Sequence, residues 1–165
     1  LTVVVASAQQ NSGFRAPWVS CFDLTGQFVG PKDVRTDAVT SSDGKRRAYA
    51  EISAIARGRE ACENTIRLFI SLNDLPYSLV FTQPPSVKSG TANSLGPVAW
   101  SADDRWLAVE IGFWFYASDN GSMGLLLYDS RTQKTSTPDV IKQIERTLVD
   151  HGGGPLPHGC HVFDD

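Results

Sequence analysis

The sequence predicts an all-β protein made of antiparallel meanders, and two observations carry that prediction. First, short apolar or alternating segments are separated by clusters of turn-forming residues, as expected when strands follow one another through hairpins. Second, the pattern Ser-x-Asp-x-basic-x-x-Ala-apolar at 41–49 recurs without a gap at 101–109. A repeat with this period indicates that the chain contains two copies of one structural unit.

Each copy predicts four strands joined by tight turns. The strands of the first copy are expected at 39–40, 46–56, 64–72 and 77–82, and those of the second at 98–100, 105–117, 125–129 and 135–137. The turn before the second strand contains a short carboxylate, which bonds the backbone two residues further along. The residues assigned to structural turns are Asp43, Gly44, Asp103 and Asp104, together with Asp164, which starts a third copy after a slip of one residue.

Two further segments complete the element assignment. Upstream of the first copy, 18–27 resembles 127–134 and predicts another strand that runs into its hairpin. Downstream of the second copy, Pro138 suits the first position of a helix, and apolar residues between 140 and 148 share one helical face. The glycine run at 152–154 ends that pattern. We therefore expect one inserted helix over 138–150.

With these elements in place, the repeat resembles a known architecture. Segments that open with Trp-Ser-Ala-Asp-Asp-Arg-Trp-Leu-Ala at 100–108 and close with Leu-Tyr-Asp-Ser-Arg-Thr-Gln-Lys at 127–134 are similar to blades of TolB-like and WD-repeat β-propellers. They are also similar to the propeller half of prolyl-oligopeptidase-type enzymes. The resemblance covers about residues 14–137 and implies a partial β-propeller of two four-stranded antiparallel meander sheets with one inserted helix. Since propellers use about four to eight blades, the remaining blades are expected in a longer chain.

The organisation along the chain follows from these assignments. It runs as a signal-peptide remnant at 1–8, N-terminal strands and a hairpin at 9–37, a blade at 38–97, a blade at 98–137, and a helix, Gly/Pro-rich loop and start of a further blade at 138–165. The signal peptide rests on Ala6-Ser7-Ala8, which matches the small-x-small pattern of a signal-peptidase site after an apolar run. A first β-strand is the alternative, because three consecutive valines also suit a buried strand. The first interpretation predicts an exported protein, either periplasmic or extracellular.

The cysteine count agrees with export without fixing a pairing. Cys21, Cys62 and Cys160 are three in number and show no C-x-x-C spacing. In an exported protein the simplest arrangement is one disulfide and one leftover thiol, which could pair with a cysteine elsewhere. Three buried or free thiols remain the alternative if the protein is not exported.

Composition excludes two classes of partner. Hydrophobic residues make up 41% and charged residues 20% of the chain, so a packed core is expected. The net charge is -3 and no basic run exceeds the three residues 45–47, which argues against a nucleic-acid-binding surface. No apolar stretch reaches the roughly 20 residues of a membrane span, so no transmembrane span is expected.

Two groups of residues resemble reactive sites, and each has a structural interpretation. His151, His158, Cys160 and His161 carry zinc- or copper-binding chemistry, but their spacing matches no recognised site, and an inter-blade loop is the favoured interpretation. Ser122 lies in Asn-Gly-Ser-Met-Gly, which lacks the first glycine of a nucleophile elbow, so a hairpin loop is favoured there.

Other candidates are carboxylates and aromatics on predicted strands. Glu51 and Glu110 fall in mid-strand, where they face either a central channel or solvent. The aromatic residues of the second strand of the second copy serve either ligand stacking or packing between blades, and packing is favoured. These aromatics are Trp106, Phe113, Trp114, Phe115 and Tyr116. No residue is assigned as catalytic, cofactor-binding or metal-binding.

Three functions remain open at the level of sequence. The leading hypothesis is a non-catalytic exported propeller module that binds a protein or small ligand, as the resemblance to TolB-like propellers implies. The alternative is the propeller portion of a prolyl-oligopeptidase-type serine hydrolase whose catalytic domain is not in this chain. A propeller hydrolase or lyase with a metal in its channel is the third, and fold alone does not choose between them.

Overall fold

A computed structural model describes residues 16–23, 25–58, 62–86, 91–115 and 121–138. Within these ranges the chain forms ten strands, which assemble into two antiparallel sheets, and it contains no helix. The prediction of an all-β fold with antiparallel sheets is therefore confirmed. Apart from Pro138, the predicted helix lies outside the described residues, as do Asp164, Cys160 and the proposed signal-peptide remnant.

The first sheet is a meander of long strands with a divided inner strand. Its elements are β2 (Lys32–Arg35), β3 (Val39–Thr40), β4 (Arg46–Ala56), β5 (Cys62–Leu72) and β6 (Ser78–Ser86). The order is β2-β4-β5-β6, and β3 pairs with the beginning of β4 on the same edge as β2. Apolar residues alternate with polar ones along β4 and β5, which is the pattern of strands with one face in a core.

The second sheet repeats the meander and gains one strand from the N-terminal segment. Its elements are β1 (Trp18–Val19), β7 (Thr91–Trp100), β8 (Trp106–Phe115), β9 (Gly121–Asp129) and β10 (Lys134–Ser136). The order is β1-β7-β8-β9-β10, with every neighbouring pair antiparallel. Consecutive strands thus pair as the repeat predicts, but each sheet has five strands where four were expected. In the second sheet β1 pairs with the free edge of β7, and in the first sheet the inner strand is divided into β2 and β3.

Strand bounds differ from the predicted ones where pairing continues through turn-like residues. Strand β7 begins at Thr91, so the boundary expected between residues 97 and 98 falls inside a strand. The Gly96-Pro97 pair suggests a turn, but it sits beside a bulge in the β7–β8 ladder. Strand β9 likewise begins at Gly121, which places Ser122 in a strand instead of the expected hairpin loop.

The hydrophobic core lies between the two sheets. Each of the strands β4, β5, β8 and β9 contributes every second residue to one contiguous buried cluster, as the period of a strand requires. The members supplied by these strands are Ala48, Ala50, Ile52, Ala54, Cys62, Ile66, Leu68, Ile70, Leu107, Val109, Ile111, Leu126 and Tyr128. Val19, Cys21 and Leu95 complete the cluster.

The two sheets bury opposite faces at equivalent positions of the repeat. Ala50 faces the second sheet and is fully buried, whereas Glu110, sixty residues later, points away from the interface. Val109 faces the first sheet, whereas its equivalent Tyr49 points away. The sheets therefore stack in the same sense, with the front of one against the back of the next. Two copies related by a two-fold axis would instead bury the same face.

The turns at 41–46 and 101–106 repeat the same hydrogen bonds. The Asp43 Oδ1 accepts hydrogen bonds from the serine hydroxyl two residues earlier (2.7 Å) and from the amide two residues later (2.9 Å). The Asp103 Oδ1 accepts the same two bonds at 2.6 and 3.2 Å. In each turn that serine hydroxyl also accepts a hydrogen bond from the amide five residues after it, at 2.9 Å. The sequence repeat is thus a repeat of turn geometry.

Candidate functional site

A groove opens between the two sheets beside their outer strands. It encloses about 450 Å³ and is lined by Phe81, Thr82, Gln83, Ile111, Gly124, Leu125, Thr137 and Pro138. Sites for small molecules typically enclose about 300 to 1,000 Å³, so the groove has room for a small ligand or the side chains of a short peptide.

The wall from the first sheet is set by the pairing of β6 with β5. Phe81 lies opposite Leu68 and Gln83 lies opposite Ile66, and both β5 residues face the second sheet. Residues directly opposite each other in an antiparallel pair share a face. The side chains of Phe81 and Gln83 therefore point into the space between the sheets.

The wall from the second sheet contains a position without a side chain. Gly124 pairs with Ile111 across β8 and β9, on the face that turns towards the first sheet. A Cβ atom at Gly124 would lie 3.4 Å from Ile111 Cγ2, which is an ordinary contact distance. The absence of that side chain leaves space in the groove that larger residues would fill.

One polar atom in the groove lacks a partner. The Oε1 atom of Gln83 is buried and accepts no hydrogen bond in the structure. A buried acceptor without a donor costs about 1 to 3 kcal/mol, so a ligand that donates an N–H or O–H here recovers part of that cost.

Metal-ligating side chains do not cluster in the part of the chain that the structure describes. Among the described residues no group of three or more His, Cys, Asp or Glu side chains is arranged to hold a metal ion. The cluster His151, His158, Cys160 and His161 lies outside the described residues, so its ligand chemistry stays a prediction.

The structural turns are joined through Asp104. Its carboxylate accepts hydrogen bonds from Ser42 N (2.9 Å), Ser42 Oγ (2.8 Å) and Asp43 N (3.1 Å). Asp104 is 7% exposed and has a φ of 54°, a conformation that Asp tolerates better than most residues. Gly44, its equivalent in the first turn, also has a positive φ, of 73°. Asp104 thus fastens the turn of one repeat to the turn of the other.

Hydrogen bonds within the turns acidify their carboxyls. The hydroxyl of Ser41, followed by the amide of Lys45 and the guanidinium of Arg46, lowers the pKa of Asp43 from 3.8 to about 2. The hydroxyl of Ser101 similarly lowers the pKa of Asp103. Both carboxyls are therefore ionised acceptors at neutral pH, which is the state that their turn geometry uses.

An ion pair joins Arg105 and Asp129 in the second sheet. The Arg105 guanidinium donates to the Asp129 carboxylate through Nε at 3.2 Å and Nη2 at 2.9 Å. This contact, with the Arg131 amide, lowers the pKa of Asp129 to about 2. The pair links the residue before β8 to the last residue of β9, and the sequence patterns did not predict it.

Two of the three cysteines form a disulfide. Cys21 and Cys62 are bonded, with their Cα atoms 5.7 Å apart, and both side chains are buried. Beside them, Asn64 is fully buried and its Nδ2 donates to the carbonyl of Val19 at 2.6 Å. The disulfide and this hydrogen bond fix the N-terminal segment to β5.

The two mid-strand glutamates do not converge. Glu51 alternates with core residues of β4 and points out from the first sheet, while Glu110 points out from the second sheet. They consequently lie on opposite sides of the stacked pair of sheets. An acid–base pair formed by these two carboxylates is incompatible with this arrangement.

The structure describes four of the five aromatic residues that the sequence analysis named on this strand. Trp106 is half-buried at the start of β8, with the Arg105 guanidinium 4.6 Å from its ring centroid. Phe113, Trp114 and Phe115 continue that strand, and Tyr116 lies outside the described residues.

The sequence patterns did not predict the residues that line the groove. Gln83 lies between an apolar run and a Pro-Pro pair, and its polar side chain is typical of a strand residue that faces solvent. Only the pairing of β6 with β5, which includes a bulge, shows which face it occupies. The one signal in the sequence is that Gln83 lies two residues after Phe81, so both side chains are expected on the same face of a strand.

No protein-family model, curated protein or solved structure matches the chain. Within the part of the chain that the structure describes, no helix is long and apolar enough to cross a membrane.

Proposed function

We propose that this chain is a binding module of stacked antiparallel meanders, part of a β-propeller-like protein that is exported and acts without catalysis. The observation that carries the proposal is the stacking sense of the sheets, in which Ala50 faces the interface while its equivalent Glu110 points away from it. Successive blades of a propeller require this sense, because each blade presents one face to the blade before it and the other to the blade after it.

Two further observations support the proposal. The disulfide between Cys21 and Cys62 fits an oxidising compartment, where such bonds form and persist. The groove lined by Phe81, Gln83 and Ile111 offers a ligand apolar contact and one hydrogen-bond acceptor. The ligand that suits this groove is a short apolar peptide, or a small molecule of similar chemistry, with a donor placed to reach Gln83.

Peptide display on the oxidised protein tests the proposal. A library of random apolar peptides is selected against the chain, and the affinities of enriched peptides are measured by calorimetry. We expect Gln83→Met to weaken them about tenfold, the equivalent of one net hydrogen bond. We expect Gly124→Val to weaken them as well, because it fills the groove. Gln27→Met is the matched control at an exposed glutamine and leaves affinity unchanged.

Two results would overturn the proposal. Enriched peptides that bind both groove variants as tightly as the wild type would place the ligand elsewhere. Peptides recovered with a cleaved bond after incubation with the protein would show that the module is catalytic.

A further inference from the structure

The outward face of the second sheet is apolar along β9, where a solvent-facing strand is usually polar. Met123, Leu125 and Leu127 alternate with residues of the core, so they point away from the first sheet. Met123 is 52% exposed. The equivalent strand of the first sheet, β5, instead has Glu63 and Arg67 on its outward face. A strand that is apolar on both faces is typical of a sheet that is covered on both sides.

One carboxylate interrupts this apolar face. Glu110 lies on β8 with Ala108 and Gly112 two residues to either side, and its register partners are Gly96 on β7 and Leu125 on β9. Glu110 is half-buried, and its carboxylate makes no ion pair or hydrogen bond with the residues that the structure describes. We call this surface the Glu110 face, which consists of Ala108, Glu110, Met123, Leu125 and Leu127.

Any surface that covers the Glu110 face brings its carboxylate out of water. Burial of a carboxylate is costly unless a cation pairs with it. The equivalent residue of the first sheet, Ala50, is fully buried against the second sheet without a charge. A partner of the Glu110 face therefore differs from the internal partner of Ala50 by a basic side chain. Arginine fits best, because its guanidinium is weakly hydrated and bonds both oxygens of a carboxylate.

The described outward face of the first sheet does not meet this requirement. Its Tyr49 is 7% exposed, with the Arg35 guanidinium 3.6 Å and the Tyr77 ring 4.7 Å from its ring centroid. Glu51 lies two residues further along β4 on the same face, and it would repel Glu110. The charge of Glu110 thus favours a different protein over a second copy of this chain.

We propose that the Glu110 face binds a segment of a partner protein that presents apolar side chains at alternate positions and one arginine, which pairs with Glu110. An extended segment suits the flat face of a sheet, because its alternate side chains point the same way. The site goes beyond the proposed function, since Phe81 and Gln83 of the groove face the space between the sheets and Glu110 faces away from it. Leu125 also lines the groove, so the tests leave it unchanged.

Disulfide-closed β-hairpin peptides are the probe. One display library has varied apolar residues at alternate positions around a fixed central arginine, and a matched library has glutamine in place of the arginine. Both are selected against the oxidised chain, and affinities are measured by calorimetry. We expect the arginine library to yield binders whose affinity falls about tenfold or more in Glu110→Gln, which removes the charge and keeps the shape. Glu51→Gln, at a mid-strand glutamate on the far side of the molecule, is the matched control and leaves affinity unchanged.

The ion pair is isolated by exchanging the arginine of a selected hairpin for glutamine. We expect the glutamine hairpin to bind wild type and Glu110→Gln equally, since no pair remains to be broken. Met123→Ser weakens both hairpins, because both use the apolar contact. Thermal melts monitored by circular dichroism verify that each variant is folded.

Three results would overturn the inference. The first is that neither library yields a binder, or that the binders have the same affinity for wild type and Glu110→Gln. The second is self-association of the chain that Glu110→Lys abolishes, because a second copy would then cover the face. The third is a loss of hairpin affinity in Gln83→Met, which would place the hairpins in the groove. Hairpin binding that survives Gln83→Met while groove peptides are lost supports two separate sites, and failure of the groove peptides alone leaves this inference in place.

Discussion

At the scale of single residues, short carboxylates hold the turns and strand ends together. Asp43, Asp103 and Asp129 each accept a backbone amide two residues further along the chain, and each also meets a side-chain donor. Such hydrogen bonds favour the ionised form, which is why the pKa values of these carboxyls are lowered. The turns therefore depend on pH in a defined direction.

The acid stability of the protein tests this role at Asp129. Its pKa falls from 3.8 to about 2 on folding, so its contribution to stability is complete above about pH 4 and is lost as the pH falls towards 2. We expect the difference in Tm between wild type and Asp129→Asn to be largest above pH 4 and to shrink towards pH 2. Thermal melts monitored by circular dichroism between pH 2 and 7 measure it. A constant difference across this range would refute the assignment.

At the scale of elements, the N-terminal segment is attached to both sheets. Strand β1 pairs with β7 of the second sheet, while Cys21 is bonded to Cys62 at the start of β5 in the first sheet. The Asp23 turn, in which Oδ1 accepts the Thr25 and Gln27 amides at 2.9 Å each, returns the chain towards β2. This short segment thus bridges the two sheets at one end of the interface.

Removal of the disulfide tests how much this segment's attachment contributes to stability. Cys21→Ala combined with Cys62→Ala opens a covalent loop whose ends are 41 residues apart. The chain-entropy estimate for a loop of this length is about 4 kcal/mol, and we expect the free energy of unfolding in urea to fall by about that amount. Val29→Ala, at a side chain that is 59% exposed, is the control and leaves it unchanged. A double variant as stable as the wild type would mean that the bond contributes no net stability.

At the scale of the whole molecule, the two meanders are joined by an apolar interface and by polar links between equivalent turns. Besides the Asp104 carboxylate, the Trp100 indole donates to the carbonyl of Val39 at 3.2 Å. Both links connect residues about one repeat apart, so they fix the register of one sheet on the other. The buried cluster alone, being non-directional, leaves that register open.

Substitution of Asp104 tests the link. Asp104→Gly keeps a residue that accepts a positive φ and removes only the carboxylate, which leaves the amides of Ser42 and Asp43 without their acceptor. We expect the free energy of unfolding to fall by about 2 kcal/mol. Gln133→Gly, at an exposed residue with a φ of 55°, is the matched backbone control and has no such cost. Equal stability of the two variants would show that the link carries no net energy.

Sequence alone determined the all-β class, the repeat and most of the strand positions. Local physics accounts for this success, because alternation along β4 and β5 and the Asp43 and Asp103 turns are encoded within a few residues. It did not locate the start of β7 at Thr91, since Gly96-Pro97 has the composition of a turn and only pairing with β8 keeps the chain extended there.

Only the tertiary structure decided which face of each sheet is buried and which residues of the two sheets contact each other. Extending the sixty-residue offset of the turns along the chain would align Ile66 with Leu126. The pairing registers instead align Ile66 with Met123, because the two hairpins differ by three residues in length. It also decided that Cys21 pairs with Cys62, that Gln83 faces the groove and that Asp104 reaches the other turn. Residues far apart in sequence meet only when the sheets stack, and periodicity along one strand carries no information about the partner of its buried face.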